Sequence, residues 1–191
     1  MKLLELFSGT QSVGKVAREL GFEVICLDRD MDADIKCDIM DWDYKVFEPG
    51  SFDVIWASPP CTEHSSATTV GVRKLDMANA IVQRTLDICE YFVPKYVVIE
   101  NPQTGLLKYQ EMMSGISYDD VDCCKYGLPY RKRTRLWNNI QYWVPRPLCK
   151  KDCRHMDGNR YMETAQRGPS KGAPYVEQAS TLAIRVVYGS Y

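Results

Sequence analysis

Short apolar runs and segments of helical period alternate along the first half of the chain. Leu3–Phe7 is apolar except at Glu5 and predicts a first strand, followed by a turn at Ser8-Gly9-Thr10. Gln11–Leu20 sets Val13, Val16, Ala17 and Leu20 on one face of a helix, with Gly21 as its stop. Phe22–Leu27 predicts a second strand ending at Asp28, and Asp34–Ile39 a short third strand or turn. A fourth strand is expected over Phe52–Ala57. A long helix follows over Lys74–Phe92, where Leu75, Ala78, Ile81, Val82, Leu86, Cys89 and Phe92 recur at helical spacing. Tyr96–Ile99 is a β-branched fifth strand. Strands alternating with helices bury both faces of a mostly parallel sheet, so the fold class is α/β, doubly wound.

Beyond residue 100 the pattern loosens. Gln103–Met113 predicts a short helix, Ile116–Cys124 and Thr134–Trp137 strands, and Gln141–Val144 an edge piece stopped by Pro145 and Pro147. Residues 148–174 look irregular, and Thr181–Val187 fits a terminal helix or strand. The reading divides the chain into an α/β domain over 1–140 and a small lobe over 141–191. Charge sharpens that division. The net charge of −1 conceals a −9 body in residues 1–130 (12 Lys/Arg, 21 Asp/Glu) and a +8 segment in residues 131–171 (11 Lys/Arg, 3 Asp/Glu). A basic segment on an acidic body suits a nucleic-acid-facing surface, and a solvated charged face is the plainer alternative. No apolar run reaches membrane-spanning length and no signal-peptide pattern opens the chain, so an intracellular protein is expected. The eight cysteines then read as core residues, a nucleophile or metal ligands.

The candidate chemistry collects at strand ends. After Val54–Ala57, Pro59 and Pro60 stop the strand and hold the chain extended, and Cys61 follows at the carboxyl end, where α/β sheets bind ligands. A cysteine there is placed as a nucleophile; a buried structural thiol is the alternative. Tyr96–Ile99 leads in the same way into Glu100-Asn101-Pro102. Tyr126–Trp137 puts a basic cluster, Arg131-Lys132-Arg133-Thr134-Arg135, ahead of an apolar segment. Residues 62–73 are polar and too long for a tight turn, as a lid over the site would be.

In order and spacing, Leu4-Glu5-Leu6-Phe7-Ser8-Gly9, Pro60-Cys61, Glu100-Asn101 and Arg133-x-Arg135 resemble four motifs of the DNA cytosine-5 methyltransferases. The resemblance covers about residues 1–140 and implies a Rossmann-like fold using S-adenosylmethionine. It makes Cys61 the nucleophile that adds to carbon 6 of cytosine, and Glu100 the carboxyl group that holds the base at nitrogen 3 and the exocyclic amine. Arg133 would favour the thiolate, and Arg135 would meet the cytosine carbonyl. Phe7, Ser8, Gly9 and Thr10 would line the methionine side of the cofactor, Asp28 the ribose, Asp38 with Ile39 the adenine, and Pro59 and Pro60 the transferred methyl. The partner implied is DNA, with the target base flipped or already single-stranded. Two other readings stand beside this one. One is cytosine in RNA or a different one-carbon transfer at carbon 5. The other is a nucleic-acid-binding module on a decayed methyltransferase fold.

The sequence also departs from the family pattern. Thr62 and His64 stand where Gln and Phe are usual, and Pro102 replaces Val. One residue more than usual separates Pro129 from Arg133, with Tyr130 near the usual Gln. The long target-recognition domain and the final cofactor motif have no counterpart. His64 is read as filling an aromatic position in the active-site loop, with a general base as the alternative. Cys149, Cys153 and His155, with Cys123 or Cys124 as a fourth ligand, have spacing that suits a structural zinc site.

Overall fold

The structure, a computed structural model, describes residues 1–64 and 74–163. Its centre is a seven-stranded sheet in the order β3-β2-β1-β4-β5-β7-β6. The strands are β1 (Lys2–Leu6), β2 (Glu23–Asp28), β3 (Ile35–Lys36), β4 (Val54–Ala57), β5 (Tyr96–Pro102), β6 (Tyr118–Asp122) and β7 (Arg133–Asn138). The first five pair in parallel, and β7 runs antiparallel between β5 and β6. Helix α1 (Ser12–Glu19) connects β1 to β2, and α2 (Leu75–Phe92) leads into β5.

Period-two alternation sorts the strand residues into two cores. Leu3, Val54, Val98, Val121 and Leu136 face one side and pack with Val13 and Ala17 of α1. Leu4, Leu6, Ile55, Ile99 and Trp137 face the other and pack with Val82, Ile88 and Phe92 of α2. Fully burying each such aliphatic side chain stabilises the fold by about 1.5–3 kcal/mol. Because alternation fixes the side of every residue, it also places Glu5, Glu100 and Thr134 with the α1 core, and Asn101, Arg133 and Arg135 with the α2 core.

The predicted strands and helices of the first 100 residues are present, with ends shifted by at most three residues and the third strand reduced to Ile35–Lys36. Beyond them the expectations fare unevenly. β5 runs through Glu100 to Pro102 because antiparallel β7 continues its ladder, pairing Pro102 with Thr134. Gln103–Met113 is not a helix but two 3-10 turns, Leu107–Tyr109 and Glu111–Met113. The chain bends tightly before them: a Cβ on Gly105 would lie 3.1 Å from the Pro102 carbonyl and 3.3 Å from that of His64. The strand expected within Ile116–Cys124 is β6. Its three aspartates are matched by Asn138, Arg135 and Arg133 of β7. Gln141–Val144 makes no edge strand, and Tyr142 and Val144 are exposed. Within the lobe, Met156–Asp157 (β8) and Arg160–Tyr161 (β9) form a hairpin. Thr181–Val187 and most of the 62–73 segment lie outside the described residues.

Candidate active site

The loop leaving β1 is built from left-handed backbone: Phe7 (φ 58°), Gly9 (φ 51°) and Gln11 (φ 58°). For Phe7 and Gln11 this conformation costs on the order of 1–3 kcal/mol each, a strain that tends to gather at functional sites. Two carboxylates hold the loop. Asp28, at the end of β2, accepts the Gly9 N–H at 2.8 Å and those of Asp30 and Met31 at 2.9 and 2.8 Å. Burial opposes its charge, but these N–H donors keep its carboxyl below the usual range. Beneath the loop, Glu5 is 2% exposed and accepts the Gly14 N–H at 2.9 Å and the Cys26 thiol at 3.3 Å. Burial pushes its carboxyl up. The Gly14 contact requires glycine, since a Cβ would stand 2.6 Å from Glu5 Oε2.

Two cavities meet at Phe7. The larger, about 270 Å³, is lined by Phe7–Thr10, Glu5, Glu100, Tyr130, Lys132 and Thr134 among others. The smaller, about 120 Å³, is lined by Phe7, Asp28, Asp38, Ile39, Pro60 and Ile81 among others. The structure therefore groups seven of the eight predicted cofactor residues around these two spaces, and places Pro59 just behind them in the turn. The donor set fits a nucleoside-bearing cofactor. Ser8 Oγ is buried without a partner among the described residues. Asp28, with three N–H bonds, has acceptor capacity left, since a carboxylate offers about four sites.

Pro59 is buried, Pro60 and Cys61 are exposed, and Asn101 Nδ2 donates to the Pro59 carbonyl at 2.9 Å. That bond ties the cysteine turn after β4 to the end of β5, which also carries Glu100. His64 is fully buried. One ring nitrogen lies 3.0 Å from Asn79 Oδ1 of α2, and its carbonyl accepts the Leu106 N–H at 2.7 Å. Its Nδ1 is buried without a partner among the described residues.

The arginine expectation needs correction. Arg133 does not face Cys61: it forms a two-pronged ion pair with Asp122 at 3.1 and 2.9 Å. Arg135 does the same with Asp120 at 2.8 and 3.0 Å and stacks on Tyr118. Both project from the face of β7 opposite Glu100. Alternation sends Lys132 and Thr134 to the cavity instead, and Lys132 Nζ lies 3.2 Å from Glu100 Oε1. Burial works against the charge of Lys132, but Glu100 foremost, then Cys123 and Cys61, hold it above the usual lysine range. Lys132 is thus the cation that pairs with the predicted carboxylate in this cavity. The extra residue between Pro129 and Arg133 was its signal, because one residue changes the face of a strand.

The cysteines of the lobe lie apart from these cavities. Sγ atoms of Cys124, Cys149 and Cys153 all lie within 4.8 Å of one another. His155 stands outside that cluster, its Nε2 facing Arg154 Nε at 3.4 Å. Cys123 points elsewhere, its sulfur 3.9 Å from Thr134 Oγ1.

Comparison with known proteins gives this arrangement a context. No family profile matches the chain. A protein of Frog virus 3 (isolate Goorha), "Probable DNA (cytosine-5)-methyltransferase", is 36% identical over 175 residues, 83% of this chain and 80% of its own length. Among solved structures, one described as a DNA modification methyltransferase encoded within an E. coli prophage superposes with a TM-score of 0.57 at 16% identity. It shares the fold, and the alignment covers 78% of this chain and 52% of that one. The S. pombe Dnmt2 methyltransferase superposes with a TM-score of 0.49 at 15% identity, over 76% of this chain and 51% of that one. The chain thus spans about half the length of the prophage protein whose fold it shares.

Proposed function

Because the chain belongs to the DNA (cytosine-5)-methyltransferase family, we propose that it methylates carbon 5 of cytosine in DNA, with S-adenosylmethionine as donor and Cys61 as covalent nucleophile. The observation that carries this reading is a tie between two strand ends, one leading to Cys61 and the other carrying Glu100 with its ion-pair partner Lys132. Cys61 sits on the turn that Asn101 holds, and Glu100 and Lys132 form an ion pair in the adjoining cavity.

S-adenosylmethionine, when bound, supplies an electrophilic methyl group. Phe7, Ser8, Gly9 and Thr10 would hold its methionine part, Asp28 the ribose hydroxyls, Asp38 and Ile39 the adenine, with Pro59 and Pro60 behind the reacting centre. Cytosine carbon 5 is a poor nucleophile, and the chain's own groups change that. Cys61 attacks carbon 6 as a thiolate, the form a neighbouring cation favours. Lys132 supplies that cation, the role the sequence gave to Arg133. Addition at carbon 6 places negative charge on the ring at nitrogen 3; Glu100 accepts from the exocyclic amine through one oxygen and, through a proton shared between its other oxygen and nitrogen 3, neutralises that charge. Carbon 5 becomes electron-rich. After methylation a base, solvent water in this reading, takes the carbon 5 proton; the electron pair of that bond re-forms the carbon 5–carbon 6 double bond, the sulfur–carbon bond breaks and Cys61 leaves as thiolate. Splitting one hard step into two in this way is the gain of covalent catalysis.

DNA would be met by the basic segment, in which Arg146, Lys150, Lys151, Arg154 and Arg160 are exposed. Sequence preference should be short or absent, and affinity should fall steeply with salt.

The test is methyl transfer from labelled S-adenosylmethionine to DNA and to RNA, followed by nucleoside mass spectrometry. A duplex carrying 5-fluorocytosine, whose fluorine cannot leave as a proton, should trap the protein covalently through Cys61. Product on RNA alone would reassign the substrate. Equal DNA methylation by wild type and Cys61→Ser would refute the mechanism.

A further inference from the structure

Of residues 141–163, only Cys149 is buried. A segment without an apolar core of its own, carrying a hairpin of two-residue strands, needs another source of order. We propose that Cys124, Cys149 and Cys153 bind a zinc-class divalent cation that fastens this lobe to the catalytic sheet.

The three sulfurs come from two parts of the chain that the fold brings together. Cys124 lies in the 3-10 turn Cys123–Tyr126 directly after β6. Cys149 and Cys153 bracket a turn in which Lys151 is left-handed (φ 66°) and Asp152 Oδ1 accepts the Lys150 N–H at 3.2 Å. Lys125 Nζ binds Asp152 Oδ1 at 2.7 Å, which clamps the two segments face to face independently of the sulfurs. Zinc–sulfur bonds of about 2.3 Å in a tetrahedron set sulfurs about 3.8 Å apart. The spread of at most 4.8 Å between these three needs only a small contraction to reach that value.

The surroundings suit bound thiolates. Cys149 Sγ receives the Tyr161 hydroxyl of β9 at 3.3 Å, a donor that orients the sulfur from behind. An open cavity of about 500 Å³, lined by Cys124, Cys153, Lys125, Tyr126, Arg146 and Arg154, gives an ion a way in, and its cations offset the negative charge of three thiolates around one divalent metal. The other cysteines offer no comparable set: among the described residues this is the one cluster of three or more potential ligands.

Metal analysis of the full chain, purified without chelator, should find about one zinc per molecule. Cobalt substitution should give the intense thiolate-to-metal band of a sulfur-rich tetrahedral site. Cys124→Ser, Cys149→Ser and Cys153→Ser should each lose most of the metal, and Cys37→Ser should keep it. His155→Ala should also keep it. A changed cobalt spectrum in that variant would identify His155 as the fourth ligand beside the three sulfurs, and metal loss as complete as in the cysteine variants would overturn a site carried by three sulfurs. Cysteine variants can fail to fold, so the wild type supplies a second readout: chelation should speed proteolytic cleavage within 141–163 while the sheet stays intact. Protein free of metal, a disulfide among these three cysteines, or cleavage indifferent to chelation would refute the proposal.

Discussion

Replacing Lys132 with Met removes the cation paired with Glu100 while keeping most of the side chain's bulk. At 3.2 Å, an effective dielectric of about 20 gives a gross attraction between Lys132 and Glu100 of about 5 kcal/mol. The lysine side chain is 40% exposed, so solvent screening and the cost of ordering it reduce the net contribution to about 1 kcal/mol. Losing that amount from the Glu100 contact to the adduct should slow trapping about 5-fold. The assay is the rate of covalent trapping on a 5-fluorocytosine duplex with saturating S-adenosylmethionine. Lys132→Arg, which keeps the charge, should retain most of the rate. Identical trapping rates for wild type and Lys132→Met on both sides of neutrality would refute the assignment of this lysine.

Four further outcomes follow from the same geometry. Gly14→Ala forces a Cβ to within 2.6 Å of Glu5 Oε2 and should cost about 1–3 kcal/mol of stability in denaturant unfolding. Asn101→Ala frees the Pro59 carbonyl and should slow trapping by Cys61 more than it weakens DNA binding, measured by a kinetic and a filter-binding assay side by side. Arg133→Ala leaves Asp122 with Arg131 and the Cys149 N–H, and should lower unfolding free energy by about 1–3 kcal/mol, placing the residue in the architecture. Asp28 has a depressed folded pKa, so its contribution to stability is present above the unfolded value of about 3.9 and is lost as pH falls through the lower folded value. Acid unfolding of Asp28→Asn should lack that component.

Hydrophobic period carried the strands and helices of the first 100 residues, and proline punctuation carried the positions of Cys61 and Glu100 at strand ends. These are local signals, and burial on both faces of a parallel sheet leaves them clear. The sides of β7 were not legible in the same way. Arg131, Lys132, Arg133, Thr134 and Arg135 are polar without a break, so composition does not say which residues face the cavity, and the partners that decide it, Asp120 and Asp122, lie on another strand, 9 to 15 residues from the arginines they bind. The lobe sulfurs show the same limit: the spacing of Cys149 and Cys153 was visible, but Cys124 joins them only because β6 ends where the lobe returns. Gln103–Met113 misled because its apolar residues have helical spacing, and the close approach of Gly105 to two carbonyls overrides it.

Asp122 is fully buried and accepts from Arg131, Arg133 and the Cys149 N–H. One carboxylate therefore closes a strand, a loop and the lobe into a single cooperative unit. Such a unit opens as a whole, and the amide of Cys149 should exchange with solvent at the pace of the sheet rather than of a surface loop. A change of chain length after β7 that displaced the Cys149 N–H would leave that buried carboxylate with its two arginines alone.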